Sequence, residues 1–131
     1  MEGLLIVQKG KSLRRKIWIL SPLAVISSYI CLIPLVLTDL FLAQFQWIYF
    51  GLHEIPKVKR KDYFAYDRHL LSKLNPVQKV HCIYCEYANG VVAYAKAVAN
   101  QMEIYSCAIK HIHTPAGHVH QKNFNERQVY E

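Results

Sequence analysis

The segment from Ile17 to Leu52 constrains this chain more than any other. It holds one formal charge, Asp39, in an otherwise apolar and aromatic run. Its first 22 residues, Ile17 to Thr38, carry no charge at all. As a helix they would extend roughly 33 Å, the thickness of a bilayer's hydrocarbon core. A secretory signal peptide has a shorter apolar region ending at a small-residue cleavage site, whereas here the apolar character continues through FLAQFQWIYFGL. The chain is therefore expected to attach to a membrane.

The basic residues support that expectation. The net charge is +7, with Lys+Arg 16 against Asp+Glu 9. Lys9, Lys11, Arg14, Arg15 and Lys16 precede the apolar block, and Lys57, Lys59, Arg60 and Lys61 follow it. Charge placed on both flanks fits anionic headgroups better than nucleic acid. A single span would put one of the two basic clusters on the disfavoured side, so a hairpin or re-entrant segment is expected, bent at Pro34, where proline breaks the helical ladder. In another topology residues 17–38 insert while FLAQFQWIYFGL lies flat in the interface. Asp39 is expected at the far boundary, near headgroups, with a buried polar contact as the alternative.

Five segments follow: a basic flank (1–16), a membrane-embedded block (17–52), a basic and aromatic connector (53–75), a helical module (76–112) and a flexible polar tail (113–131). In the connector, Asp67 and His69 could orient a ligand, but a solvated charge cluster accounts for them. Asn75-Pro76 is a helix start: asparagine caps well and proline suits the first helical position. A helix is also expected after Asn89-Gly90, running to about Ile104, with Val91, Tyr94, Ala95, Val98 and Met102 on its apolar face.

The module carries C-x2-C-x21-C-x3-H, formed by Cys82, Cys85, Cys107 and His111. Three thiols and one imidazole are the ligand types of a closed structural zinc site. Cys31 lies inside the apolar block, away from the other three, and an odd remainder beside a histidine favours metal over disulfides. The same ligands could hold an iron–sulfur cluster, and Cys82/Cys85 alone could act as a redox dithiol. Any shared ion requires a bend, at Asn89-Gly90 or near Ser106, because a straight helix between the pairs would hold them apart. His113, His118 and His120 follow in the tail, where histidine-rich tracts bind metal loosely.

At these residues the chain resembles a family of small bacterial membrane-associated proteins. The resemblance rests on LTDLF, on DRHLL with the LN that follows, on CIYCEYANGVVAY (a C-x-Y-C-x-Y-x-N-G pattern) and on CAIKH (C-x-I-K-H). It falls on Cys82, Cys85, Asn89, Gly90, Cys107, Lys110 and His111. Glu86 and Ala108 stand where glycine and proline are expected in relatives, which favours a helical CxxC over a tight knuckle. The resemblance implies a bacterial setting and this architecture, with no activity attached.

The expected protein is mainly α: a membrane-embedded N-terminal segment and a small helical Cys3His module on the cytoplasmic side of the bacterial inner membrane. Its expected role is a membrane-anchored binding or adaptor module closed by zinc, with lipid headgroups and a membrane protein as partners. A membrane-associated redox protein is the alternative. A hydrolytic zinc enzyme using Glu86, or Asp67 with His69, ranks last, because no nucleophile motif, phosphate loop or HExxH is present.

Overall fold

The structure, a computed structural model, describes residues 21–131. The basic flank and the first residues of the apolar block lie outside that range. The fold is mainly α. Helices α1 (Ser21–Ile30) and α2 (Leu32–Phe45) and a wider π turn (Gln46–Phe50) run on from one another. Together they make an apolar rod, Pro22–Phe50, of 29 residues. By length and composition it could cross a membrane, and none of its most apolar 18-residue window is buried. The second long element is α3 (Pro76–Ser106), 31 residues.

The expected hairpin at Pro34 does not form. Proline has no N–H to give to the carbonyl four residues back, Ile30, and the α-helical pattern lapses at Cys31. The next bond, from Leu35 N–H to the Cys31 carbonyl, is made at 3.3 Å, and the helix resumes without reversing.

The rod ends in a helix-terminating motif. The Ile55 N–H reaches back to the Phe50 carbonyl at 2.9 Å. Glu54 takes a left-handed conformation with φ 54°, the position glycine usually fills, and Pro56 prevents further helix. Ile55 packs on Phe50, completing the motif's apolar contact.

Rod and α3 lie side by side and run parallel. Tyr29 meets His81, Asp39 meets Tyr87 and Gln46 meets Tyr94, so partner numbers rise together, with separations of 52, 48 and 48. Parallel helices need a connection that returns the full length of the pair. Residues 53–75 supply it, with short 3-10 turns at Arg60–Tyr63 and Arg68–Leu70. Val58 meets Gln46, Arg60 meets Asp39 and Arg68 meets Glu86 as the connector travels back.

The start of α3 is the one read from Asn75-Pro76. Asn75 accepts from the Gln78 N–H at 2.8 Å while Gln78 Oε1 accepts from the Asn75 N–H at 3.2 Å, a capping box. Val91, Tyr94 and Val98 are buried, as the apolar face required. Phe50, Ile55, Tyr94 and Val98 form the core, with Phe45, Val58, Phe64 and Met102 around it. It sits where the end of the rod, its exit turn and the second half of α3 converge.

Gly90 does not bend α3. The helix passes through it, and the missing side chain makes a notch for Phe64: a Cβ there would lie 2.5 Å from Phe64 Cδ1. Beyond Ser106 the chain turns back. Residues 113–131, expected as a flexible tail, lie against the last turns of α3 and include 3-10 turns at Val119–Asn123 and Arg127–Val129. Ile109 and Asn125 form a parallel bridge, with Asn125 N–H donating to the Ala108 carbonyl at 2.8 Å.

Candidate functional site

The four residues expected to share an ion are not brought together. Cys82 and Cys85 sit one turn apart in the first half of α3, Cys82 buried and Cys85 exposed. Cys107 is the C-cap of the same helix, and His111 lies beyond it. At 1.5 Å per residue, the uninterrupted helix holds Cys82 roughly 37 Å from Cys107. Neither bend that closure required brings the pairs together: the helix runs unbroken through Asn89-Gly90, and the turn after Ser106 comes too late. Among the described residues no three His, Cys, Asp or Glu side chains stand close enough, as they lie, to hold one ion. All four cysteines are free. The same separation applies to the four residues as ligands of an iron–sulfur cluster.

Two other arrangements stand out. The first runs between the rod, the connector and α3. Asp39 Oδ2 accepts from Arg60 Nη2 at 2.6 Å, and Asp39 Oδ1 accepts from Arg60 Nε at 2.9 Å. Tyr87 Oη donates to Asp39 Oδ2 at 3.0 Å. A paired fork of this kind is the strongest way to hold a carboxylate among apolar neighbours. The carboxylate pushes the Arg60 guanidinium further up from its ordinary value, and burial followed by the Asp39 contact pushes the Tyr87 phenol up. Arg60 also lies over the Phe64 ring, 4.1 Å from its centre. Two turns on, Gln46 donates to Tyr94 Oη and accepts from the Val58 N–H at 2.7 Å. Further towards the start of the rod, Tyr29 Oη and His81 Nδ1 are 2.8 Å apart.

Asp39 is thus half-buried and makes the polar contact that was the alternative expectation for it. The signal was available: a sole ionisable group in a long apolar helix usually faces a partner. Glu86, considered as an acid beside Cys85, is buried under the connector, where one carboxylate oxygen accepts from the Arg68 N–H at 3.2 Å. Its other oxygen has no hydrogen-bond partner. Asp67 is exposed and His69 half-buried with its Nδ1 unpartnered.

The second arrangement lies at the far end of α3. A hollow of about 300 Å³ is lined by Ala99, Met102, Glu103, Ser106, Cys107, Ile109 and His111. Cys107 and His111, the second half of the expected metal set, therefore border it together with Glu103. The returning tail brings His118 and His120 to the same end. The ring of His111 is 6.4 Å from that of His118, which is 5.6 Å from that of His120. His120 Nε2 lies 3.5 Å from Glu103 Oε2. Nothing in the spacing of these residues alone revealed that a helix end and a tail would meet here.

Comparisons with protein-family models, with curated proteins and with solved structures returned no match.

Proposed function

We propose that the protein is a membrane-anchored binding or adaptor module, held by its apolar rod at the cytoplasmic face of a bacterial inner membrane. The observation that carries this reading is the division of the rod's two sides. Tyr29, Asp39 and Gln46 turn inward, and each finds a partner in α3 or the connector. Ser28 and Thr38 return their hydroxyls to carbonyls of their own helix, at 2.7 Å each. The outward side is left with Leu23, Ile26, Ile30, Ile33, Leu37, Leu40, Phe41 and Trp47 exposed. A hydrocarbon solvent demands this arrangement, since unpaired polar groups are costly there. Trp47, 74% exposed near the end of the rod, has the amphipathic ring that favours the lipid–water boundary. Lys57, Lys59 and Lys61 are exposed on the connector, available to anionic headgroups.

The four-ligand zinc clip is not part of this proposal, because α3 separates its halves.

The test is fractionation of the full chain expressed in bacteria. It should sediment with membranes, resist an alkaline carbonate wash and dissolve in detergent. Ile33 and Leu40 are seven residues apart on the outward side. Ile33→Asp with Leu40→Asp places two charges there, each costing about 3 kcal/mol in a bilayer. This double variant should move to the soluble fraction. A wild-type chain that is soluble and monomeric without detergent would refute the proposal.

A further inference from the structure

We propose that the C-terminal tail and the last turns of α3 form a binding site for a divalent transition-metal ion of the zinc type, with Glu103, His111, His118 and His120 as its donors. This inference does not depend on membrane anchoring, and it shares only His111 with the C-x2-C…C-x3-H pattern.

Two donors already stand at ligand spacing. Atoms bound to one tetrahedral zinc at its usual bond lengths lie about 3.3 Å apart. His120 Nε2 and Glu103 Oε2 are 3.5 Å apart. Neither ring nitrogen of His120 has a hydrogen-bond partner, although both are buried. Leaving such groups unpaired costs free energy, and a shared ion would remove that cost for Nε2.

The carboxylate is also held in place for this role. Gln121 Nε2 donates to Glu103 Oε1 at 2.6 Å, leaving Oε2 to face His120. His118 Nδ1 lies 3.2 Å from the Ala116 carbonyl. A carbonyl can only accept, so this contact fixes the proton on Nδ1 and leaves the Nε2 lone pair free. Carbonyl–imidazole contacts of this kind orient metal-bound histidines.

Closure needs side-chain movement, because among the described residues no three such donors reach one ion as they lie. Two imidazoles on one tetrahedral ion have ring centres about 5 Å apart. Two of the three ring separations here, His118 to His120 and His111 to His118, are 5.6 and 6.4 Å. His111 is exposed and His118 half-buried, so rotation of their side chains can supply the difference. The tail is already turned for it: Gly117 adopts φ +80°, and its carbonyl accepts from Lys96 Nζ at 2.7 Å. The bound ion would pin the tail to α3.

The experiment titrates the full chain, in detergent and stripped with chelator, with Co2+ and then Zn2+. One tetrahedral Co2+ per chain is expected, displaced by zinc. His118→Ala and Glu103→Gln should each lower affinity at least tenfold, while His113→Ala, a neighbouring exposed histidine, leaves it unchanged. Melting without metal reports whether each variant folds. Zinc protection of residues 107–131 from protease in the wild-type chain gives a second readout that needs no variant. The proposal is overturned by the absence of stoichiometric binding, or by a His113→Ala loss equal to that of His118→Ala, which would mean loose binding along the tract. It is also overturned by loss of binding in Cys82→Ser, or by a thiolate-to-cobalt band that disappears in Cys107→Ser.

Discussion

Along the rod, where nearly every side chain is apolar, polar pairs reach α3 and the connector beside the apolar core around Phe50: Asp39 with Arg60 and Tyr87, Gln46 with Tyr94, Tyr29 with His81. Along the tail, where most side chains are polar, an aromatic ring is driven inward instead. Phe124 is 7% exposed, beside the buried Gln121 and against His120. The contrast shows what each region lacks. An apolar helix has surface to bury in any orientation, so its few hydrogen-bonding groups decide which face meets α3 and in what register. In lipid this would be sharper still, since helix association there gains little from the hydrophobic effect. A polar tail has hydrogen bonds to offer in any orientation, so one buried ring decides where it docks.

The largest effect should come from breaking the two seams separately. Phe50 is fully buried at the centre of the core shared by the rod and α3. Phe50→Ala should cost about 3–5 kcal/mol and lower the melting midpoint of the whole chain. Phe124→Ala should instead release the tail alone. Limited proteolysis would cut residues 107–131 rapidly while the midpoint of the helix pair hardly moves. If Phe124→Ala lowered the midpoint as far as Phe50→Ala, the two seams would be one cooperative unit and the contrast would fail.

Gly90 tests the seam between α3 and the connector. Alanine would gain about 1 kcal/mol in helix propensity. Against this, its Cβ would meet Phe64 Cδ1 at 2.5 Å, Cε1 at 2.7 Å and Cγ at 3.0 Å. Contact with Cγ, the root of the ring, means that Phe64 cannot swing clear without moving the connector backbone. Overpacking of this kind costs about 1–3 kcal/mol, so Gly90→Ala should be net destabilising by about 1 kcal/mol. Adding Phe64→Leu should recover most of that loss, which denaturant titration of the single and double variants would show. A Gly90→Ala chain more stable than wild type would mean that the notch is not filled.

What could be read in the sequence followed from local chemistry. Asn75-Pro76 marked the start of α3, and Val91, Tyr94 and Val98 its buried face, because capping and helical periodicity act over a few residues. The 29-residue rod was legible as an apolar block. Its straightness was not: proline forbids one hydrogen bond, and whether the chain reverses there depends on what lies alongside. Here α3 and the connector lie alongside, and both engage the far half of the rod. The parallel pairing was equally hidden, because it depends on the connector running back in its full length. Gly90 was read as a possible bend, but a glycine inside a helix can equally mark a close approach, and Phe64, 26 positions earlier, makes that approach. The expected convergence of Cys82, Cys85, Cys107 and His111 is missing for the same reason. Cys82 and Cys107 could meet only if α3 broke, and the glycine expected to break it is occupied as a packing notch. Glu103, His118 and His120 could not be assembled from spacing, because the turn at Gly117 that gathers them is a tertiary feature.

The smallest expected effect lies at the exit of the rod, and it sharpens the contrast because it should strengthen one seam without touching the other. Glu54 holds φ 54°, where an ordinary side chain pays about 1–2 kcal/mol that glycine does not. Glycine would in turn lose about 0.5–1 kcal/mol through the greater freedom of its unfolded chain. The difference favours Glu54→Gly by about 0.5–1 kcal/mol, provided that the Ile55 N–H keeps its bond to the Phe50 carbonyl. Alanine relieves no backbone strain at this position, so Glu54→Ala serves as the control and should show no gain. Denaturant midpoints for the two variants decide the matter. If both rise together, the benefit comes from removing the carboxylate; if only glycine rises, it comes from the left-handed turn. Protease sensitivity of residues 107–131 should match wild type in either variant, since that seam is closed by Phe124 and not by the rod.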